Sequence, residues 1–128
     1  MKTINVTCAI IDFNGKVLVV QRSETMQLPL KWEFPGGKLE PFETEEQCIL
    51  REIKEELSID ILLLDRLSVT TFNYPNVAVR LIPFTAKYLS GEITLQEHKQ
   101  YLFLDKEALQ SLDWAAADLP VLYEFLQL

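Results

Sequence analysis

From Gly37 to Ile59 the chain reads Gly-Lys-Leu-Glu-Pro-Phe-Glu-Thr-Glu-Glu-Gln-Cys-Ile-Leu-Arg-Glu-Ile-Lys-Glu-Glu-Leu-Ser-Ile. The second half has helical spacing. Glu52, Glu55 and Glu56 stand at i, i+3 and i+4, so a helix carries them on one face within a turn. Ile49, Ile53 and Leu57 recur every fourth residue on a separate stripe, which gives the helix an apolar face for a core. Like charges that close repel by roughly a few tenths of a kcal/mol per exposed pair. Such a patch is either the solvated face of a Glu-rich helix or a site where cations gather. Clustered carboxylate oxygens suit hard divalent ions. Magnesium in particular binds through a few carboxylates, waters and substrate phosphates, and metals bridging acidic residues to a phosphate chain serve phosphoryl chemistry.

The wider pattern favours the second reading. Gly37, Glu43, Arg51, Glu52, Ile53, Glu55, Glu56 and Ile59 match the Nudix box, G-x5-E-x7-R-E-U-x-E-E-x-G-U with U a bulky aliphatic residue. The one departure is Ser58, where that family has glycine. The resemblance extends to Leu18-Val19-Val20-Gln21-Arg22, Trp32-Glu33-Phe34-Pro35-Gly36-Gly37-Lys38, Glu97-His98 and Ala115-Ala116-Ala117-Asp118-Leu119-Pro120. These resemble the MutT-like and CTP pyrophosphohydrolase-like branch, so the likeness covers nearly the whole chain.

The resemblance implies an α/β fold, a Nudix-type α/β/α sandwich with a mixed β-sheet. It also implies a hydrolase needing Mg2+, with Mn2+ as a substitute, that cleaves nucleoside triphosphates to monophosphate and pyrophosphate. In-line attack would fall on the inner β-phosphorus, and the biological role would be nucleotide-pool sanitation and DNA repair. The implied metal set is Gly37, through its backbone carbonyl, with Glu52, Glu55, Glu56 and Glu97. Glu52 is the best candidate to orient or deprotonate the attacking water, although spacing does not say which carboxylate lies within reach of it. Arg51 and Glu43 complete the catalytic set as an ion pair fixing the loop, and Glu43 equally fits direct metal contact. Glu97 also reads as a solvated loop carboxylate, and His98, the single histidine, as a surface or hydrogen-bonded residue.

Substrate-binding candidates are Arg22, Phe34, Lys38 and Asp118. Arg22 and Lys38 offer a rigid fork and a mobile point charge to phosphates. Asp118 stands where MutT-like proteins often have asparagine. An ionised aspartate only accepts hydrogen bonds and suits bases with amino hydrogens such as cytosine; a carboxyl kept protonated in an apolar pocket donates as well. The same residue reads as a helix N-cap ahead of Pro120. Phe34, Phe72, Tyr74 and Trp114 offer faces for stacking on a base or serve as core.

Composition bounds the reading. At 128 residues the chain is long enough for one domain, 1–128, with its own core. A formal charge of −7 argues against a nucleic-acid binder that works by neutralising phosphates, and a polyphosphate needs cations to approach it. Cys8 and Cys48 have no metal-like spacing and read as buried thiols. There is no signal-peptide pattern and no apolar run near the roughly 20 residues of a membrane span, so a cytoplasmic monomer or homodimer is expected.

Along the chain, Ile4, Val6, Cys8 and Ile10 alternate with polar or small residues as a half-buried strand, Asn14-Gly15 turns a hairpin, and Ser23 to Lys31 is a loop over the site. Glu33–Phe34 is short and extended, and Pro35-Gly36-Gly37 reads as a turn using glycine's conformational freedom. Thr44 and Gln47 form a capping box, and Ser58 must close the helix under strain if the left-handed cap is kept. Strands follow over Leu62–Phe72, Val77–Tyr88 and Lys99–Leu104, then a short helix from Asp105 and a closing helix from about Asp118. Two rival functions remain open: a Nudix hydrolase of a nucleotide sugar or dinucleoside polyphosphate, and a non-catalytic Nudix-fold nucleotide-binding module. Such modules usually lose carboxylates from the box, and here every one is present.

Overall fold

A computed structural model describes residues 2–128; Met1 lies outside the described residues. Its centre is strand β1 (Lys2–Phe13). The Asn14-Gly15 turn has left-handed φ values of 53° and 85° and returns the chain into β2 (Lys16–Gln21), antiparallel to β1. Two short strands follow, β3 (Trp32–Glu33) and β4 (Gly36–Lys38). Helix α1 spans Glu45–Leu57. Then come β5 (Asp60–Arg66), β6 (Thr70–Tyr74), the 14-residue β7 (Val77–Ser90) and β8 (Gln100–Leu104). A 3-10 helix over Lys106–Ser111 and α2 (Leu119–Leu126) close the chain.

The sheet is mixed. β1 runs parallel to β7 and antiparallel to β2 and β4, and the main order is β3-β2-β1-β7-β5. Alternation along the strands divides the core. Ala9, Ile11, Leu18, Val20, Ile82 and Phe84 pack with Ile49, Ile53 and Leu57 of α1. Cys8, Ile10, Val17, Val19 and Leu81 face the other way, onto Trp32, Phe34, Leu109, Trp114, Val121 and Leu122. This is the expected α/β/α sandwich with a mixed sheet. Because both faces are covered, Thr7 to Ile11 is buried on both sides, where alternation alone suggested a half-buried strand.

Three local expectations change. The single strand over Leu62–Phe72 is two strands, β5 and β6, separated by Leu67, Ser68 and Val69. The break lies opposite Pro83 of β7, whose carbonyl accepts from the Leu67 N–H and whose nitrogen has no hydrogen to return. Gly36 and Gly37 form a strand, pairing with Cys8 and Thr7, and neither has positive φ. Their need for glycine is therefore close approach: a Cβ on Gly36 would lie 1.9 Å from the Thr7 carbonyl oxygen. Asp118 precedes α2 but makes no side-chain cap and has helical φ and ψ of −82° and −17°.

Helix α1 begins and ends as its sequence dictates. Thr44 and Gln47 form a reciprocal capping box. Ser58 adopts left-handed φ 61° and ψ 29°, with its N–H donating to the Lys54 carbonyl. Ser58→Gly is expected to raise unfolding free energy by about 0.5 kcal/mol. That is the roughly 1 kcal/mol of left-handed strain relieved, less the greater freedom that glycine gives the unfolded chain. A urea midpoint that falls on this substitution would refute the strain argument.

Candidate active site

Beside β1, β4 and the N-terminal part of β7 lies a cavity of about 910 Å³, within the range of small-molecule sites. Its apolar wall includes Ile4, Val6, Cys8, Val79 and Leu81, and the loop after β2 contributes Met26, Gln27 and Leu28. Two polar groups converge on it.

The first group is acidic. Glu52, Glu56 and Glu97 line the cavity with Gly36, Gly37 and Lys38. Glu52 is largely buried and lies against the Gly37 backbone, so that a Cβ there would be 2.1 Å from its Oε2. Arg51 donates to Glu52 Oε1 at 2.8 Å, which leaves Oε2 the freer oxygen. Arg51 also grips Glu43 with two bonds of 2.9 and 2.6 Å. Hydrogen bonding to that guanidinium holds the Glu43 pKa down at about 2. Both Glu43 oxygens are thus engaged, and the geometry favours loop fixation over metal contact for this residue. Glu55 is more than half exposed and 3.1 Å from Arg51, and neither it, Arg51 nor Glu43 lines the cavity.

Glu56 is the most conspicuous carboxylate. Its Oε2 is buried with no hydrogen-bond partner among the described residues. Burial pushes its pKa up, Glu97 adds to the effect, His98 opposes it, and Glu52 and Glu55 add less. A buried oxygen without a donor, among like charges, calls for a cation. Among the described residues no group of three or more His, Cys, Asp or Glu side chains converges as a ready-made cage. The donor set instead fits a hard divalent ion that takes one or two carboxylates and completes its shell with water and substrate phosphate.

Behind this group Thr7, fully buried on β1, donates through Oγ1 to the Gly37 carbonyl at 3.3 Å and lies 3.1 Å from Cys48 Sγ. Burial pushes the Cys48 thiol up to about 11, so it behaves as an inert packing group. Cys8 is likewise a buried free thiol.

The second group comprises Arg22, Glu33, Phe34, Tyr74, His98 and Asp118. Glu33 Oε1 accepts from Arg22 at 2.9 Å and its Oε2 from His98 Nε2 at 2.8 Å. Arg22 Nε also donates to the Gln27 carbonyl; the two bonds orient the guanidinium and use two of its five N–H donors. Asp118 is buried, and its Oδ2 accepts from the Phe34 N–H at 2.9 Å. Burial raises the Asp118 pKa well above the usual range and the Glu33 charge raises it further, against smaller opposing effects of the Phe34 N–H and Arg22. Tyr74 lines the cavity and its hydroxyl accepts from the Ala117 N–H. Phe72 and Trp114 lie outside the lining, Trp114 packing on Phe34 with centroids 4.8 Å apart.

One cavity thus gathers Arg22, Phe34, Gly37, Lys38, Glu52, Glu56, Glu97 and Asp118 from segments far apart in sequence. Sequence reasoning missed Glu33, and it left His98 a surface or hydrogen-bonded residue; the imidazole is buried and bonded to Glu33. The available signal was a lone carboxylate between Trp32 and Phe34, in a strand too short and apolar to hold one without a partner.

A NUDIX domain model matches residues 1–125. The chain is 31% identical to the CTP pyrophosphohydrolase of Escherichia coli (strain K12), over all of this chain and 95% of that protein. It is 34% identical to the 8-oxo-dGTP diphosphatase of Proteus vulgaris, over 73% of this chain and 84% of the relative. Among solved structures, the DNA mismatch repair protein MutT (family Nudix hydrolase) from Methicillin Resistant Staphylococcus aureus 252 is 42% identical. It aligns with a TM-score of 0.80, covering 99% of this chain and 98% of that one.

Proposed function

The chain belongs to the NUDIX family of hydrolases, and from that premise we propose that it cleaves nucleoside triphosphates to the monophosphate and pyrophosphate. Nudix hydrolases generally need a divalent metal; we assign magnesium, with manganese as a substitute. The observation that carries the reading is the buried Oε2 of Glu56, which has no hydrogen-bond partner among the described residues, on a side chain that lines the same cavity as Glu52 and Glu97. Of Glu52, Glu56 and Glu97, two carboxylates would hold the metal directly beside the Gly37 carbonyl and the third through water, with substrate phosphate completing the shell; Glu55, outside the cavity lining, would act through water as well. When bound, the metal neutralises the phosphate chain and polarises the phosphorus under attack.

The chain's own residues do the rest. Arg51 occupies Glu52 Oε1, so Oε2 is the oxygen left to take the proton of the attacking water. Lys38 offers the phosphate chain a mobile cation from the cavity edge. Arg22 orients Glu33 and keeps N–H donors that can meet a phosphate oxygen. The base lies against Phe34 and Tyr74, where Glu33 accepts and a protonated Asp118 donates. Cytosine, with an amino group beside a ring acceptor, complements that pair, and the relatives named for CTP and 8-oxo-dGTP direct attention to cytosine and oxidised guanine. Residues 1–128 act as one catalytic domain in this reading, serving a cytoplasmic nucleotide pool.

Turnover over a panel of normal and oxidised nucleoside triphosphates, nucleotide sugars and dinucleoside polyphosphates, with and without magnesium, tests the proposal. Metal-dependent pyrophosphate release from triphosphates supports it, and preference for a sugar or dinucleoside substrate overturns it. The Asp118 role has a pH sign. Because its pKa is raised, the donating proton is present below that pKa and lost as pH rises through it. Base preference should therefore decline toward alkaline pH in the wild type. In Asp118→Asn, whose amide donates at every pH, preference should stay flat. Parallel pH profiles of the kcat/KM ratio in the two proteins would show that Asp118 is not the donor.

A further inference from the structure

The His98 side chain is almost entirely buried, 5% exposed, yet among the described residues one of its ring nitrogens has no partner. Nε2 meets Glu33 Oε2 at 2.8 Å, and Nδ1 is buried and unbonded. A carboxylate that already receives Arg22 on its other oxygen has only lone pairs to offer, so Nε2 carries a hydrogen and donates it. Burying a ring nitrogen without a partner is costly, and an apolar residue of similar size would avoid that cost. What the imidazole gains in return is orientation of Glu33. Glutamate has three rotatable side-chain bonds, and Arg22 alone fixes one oxygen. His98 fixes the second, so both oxygens are set against the cavity that Asp118 also faces.

We propose that His98 is a positioning residue for base selection, holding the Glu33 carboxylate as the fixed acceptor for the amino hydrogens of a nucleobase. This inference rests on the nucleotide reading above and adds to it the device that makes Glu33 selective. A freely rotating carboxylate meets many bases equally well; one clamped at both oxygens rewards a donor in one place and leaves other bases mismatched. The adjoining Glu97 lines the same cavity, so any effect of His98 transmitted through Glu97 must be separated by the test.

Full-length wild type, His98→Leu, His98→Gln, Glu33→Ala and the Glu33→Ala/His98→Leu double variant are compared across CTP, UTP, ATP, GTP and 8-oxo-dGTP. Mn2+ affinity is read by electron paramagnetic resonance and folding by thermal unfolding. His98→Leu should reduce discrimination between the preferred and other bases by about tenfold, mainly through KM. His98→Gln, which keeps a donor near the Nε2 position, should stay within about threefold of wild type. In the Glu33→Ala background, His98→Leu should change selectivity no further, and Mn2+ affinity should be unaltered throughout. A His98→Leu enzyme with wild-type discrimination overturns the inference while leaving the hydrolase reading intact. Loss uniform over all bases with weakened Mn2+ binding also overturns it, because His98 then serves Glu97. If His98→Leu does not fold, His98→Gln and the Glu33→Ala comparison decide: unaltered selectivity in Glu33→Ala removes the acceptor that His98 is said to hold. A wild type that hydrolyses no triphosphate overturns both readings.

Discussion

Glu52→Gln should lower turnover of the preferred triphosphate by about 10³-fold or more while leaving the unfolding midpoint close to that of the wild type. General-base catalysis contributes typically about 10² to 10⁴, and the same substitution weakens a metal ligand, so the two losses combine on one side chain. The fold should tolerate the change because the carboxylate is not a core element. It rests over Gly37 and accepts from Arg51, which keeps its bonds to Glu43. The amide retains shape and one accepting oxygen but loses the charge and the basic lone pair. Steady-state pyrophosphate release with Mg2+ varied separates the two contributions: lost metal affinity is recovered at high Mg2+, a lost base is not. Turnover within tenfold of wild type at saturating metal would remove Glu52 from the chemistry.

The sequence carried this site unevenly, for physical reasons. Periodicity placed Ile49, Ile53 and Leu57 in the core and the carboxylates on another face, because one helix sets both and its spacing is local. The capping box and the left-handed Ser58 were legible for the same reason. Long-range relations were not. Asp118 read as a helix cap because its neighbours suggest one, but 84 residues away in sequence the Phe34 N–H needed an acceptor, and nothing near Asp118 records that. The Arg22–Glu33–His98 clamp joins three segments and has no spacing to detect. The division of β5 from β6 depended on Pro83 in the facing strand, which a reading of Leu62–Phe72 by itself does not include. Arg51 and Glu52 are neighbours in sequence and point about 100° apart round the helix, yet the length of Arg51 lets its guanidinium bridge Glu43, Glu52 and Glu55. Side-chain reach thus overrides helical position.

The two adjacent glycines should fail in opposite ways when a methyl group is added. In Gly37→Ala the atoms nearest to the new carbon all belong to the carboxylate of Glu52, with Oε2 at 2.1 Å and Cδ at 2.2 Å. That group ends a flexible side chain, so it can swing aside at small cost in stability, and in doing so it leaves the position from which it acts. Misplacement of a reacting group by about 1 Å costs about 10²-fold, so Gly37→Ala should lose at least that much turnover with its unfolding midpoint nearly unchanged. In Gly36→Ala the same carbon meets the Thr7 carbonyl oxygen at 1.9 Å and the Cys8 Cα at 2.7 Å. Both belong to β1, the central strand, whose backbone cannot yield without breaking its pairing with β4 and disturbing β7. That variant should be destabilised by about 3 kcal/mol or more, at the upper end for single substitutions, and whatever fraction folds should have its Glu52 in place. Measuring specific activity per folded molecule alongside denaturant unfolding tests both at once. Were Gly37→Ala to unfold as readily as Gly36→Ala while keeping full activity per folded molecule, Glu52 would not be seated over Gly37 and the geometry assigned to the catalytic carboxylate would be wrong.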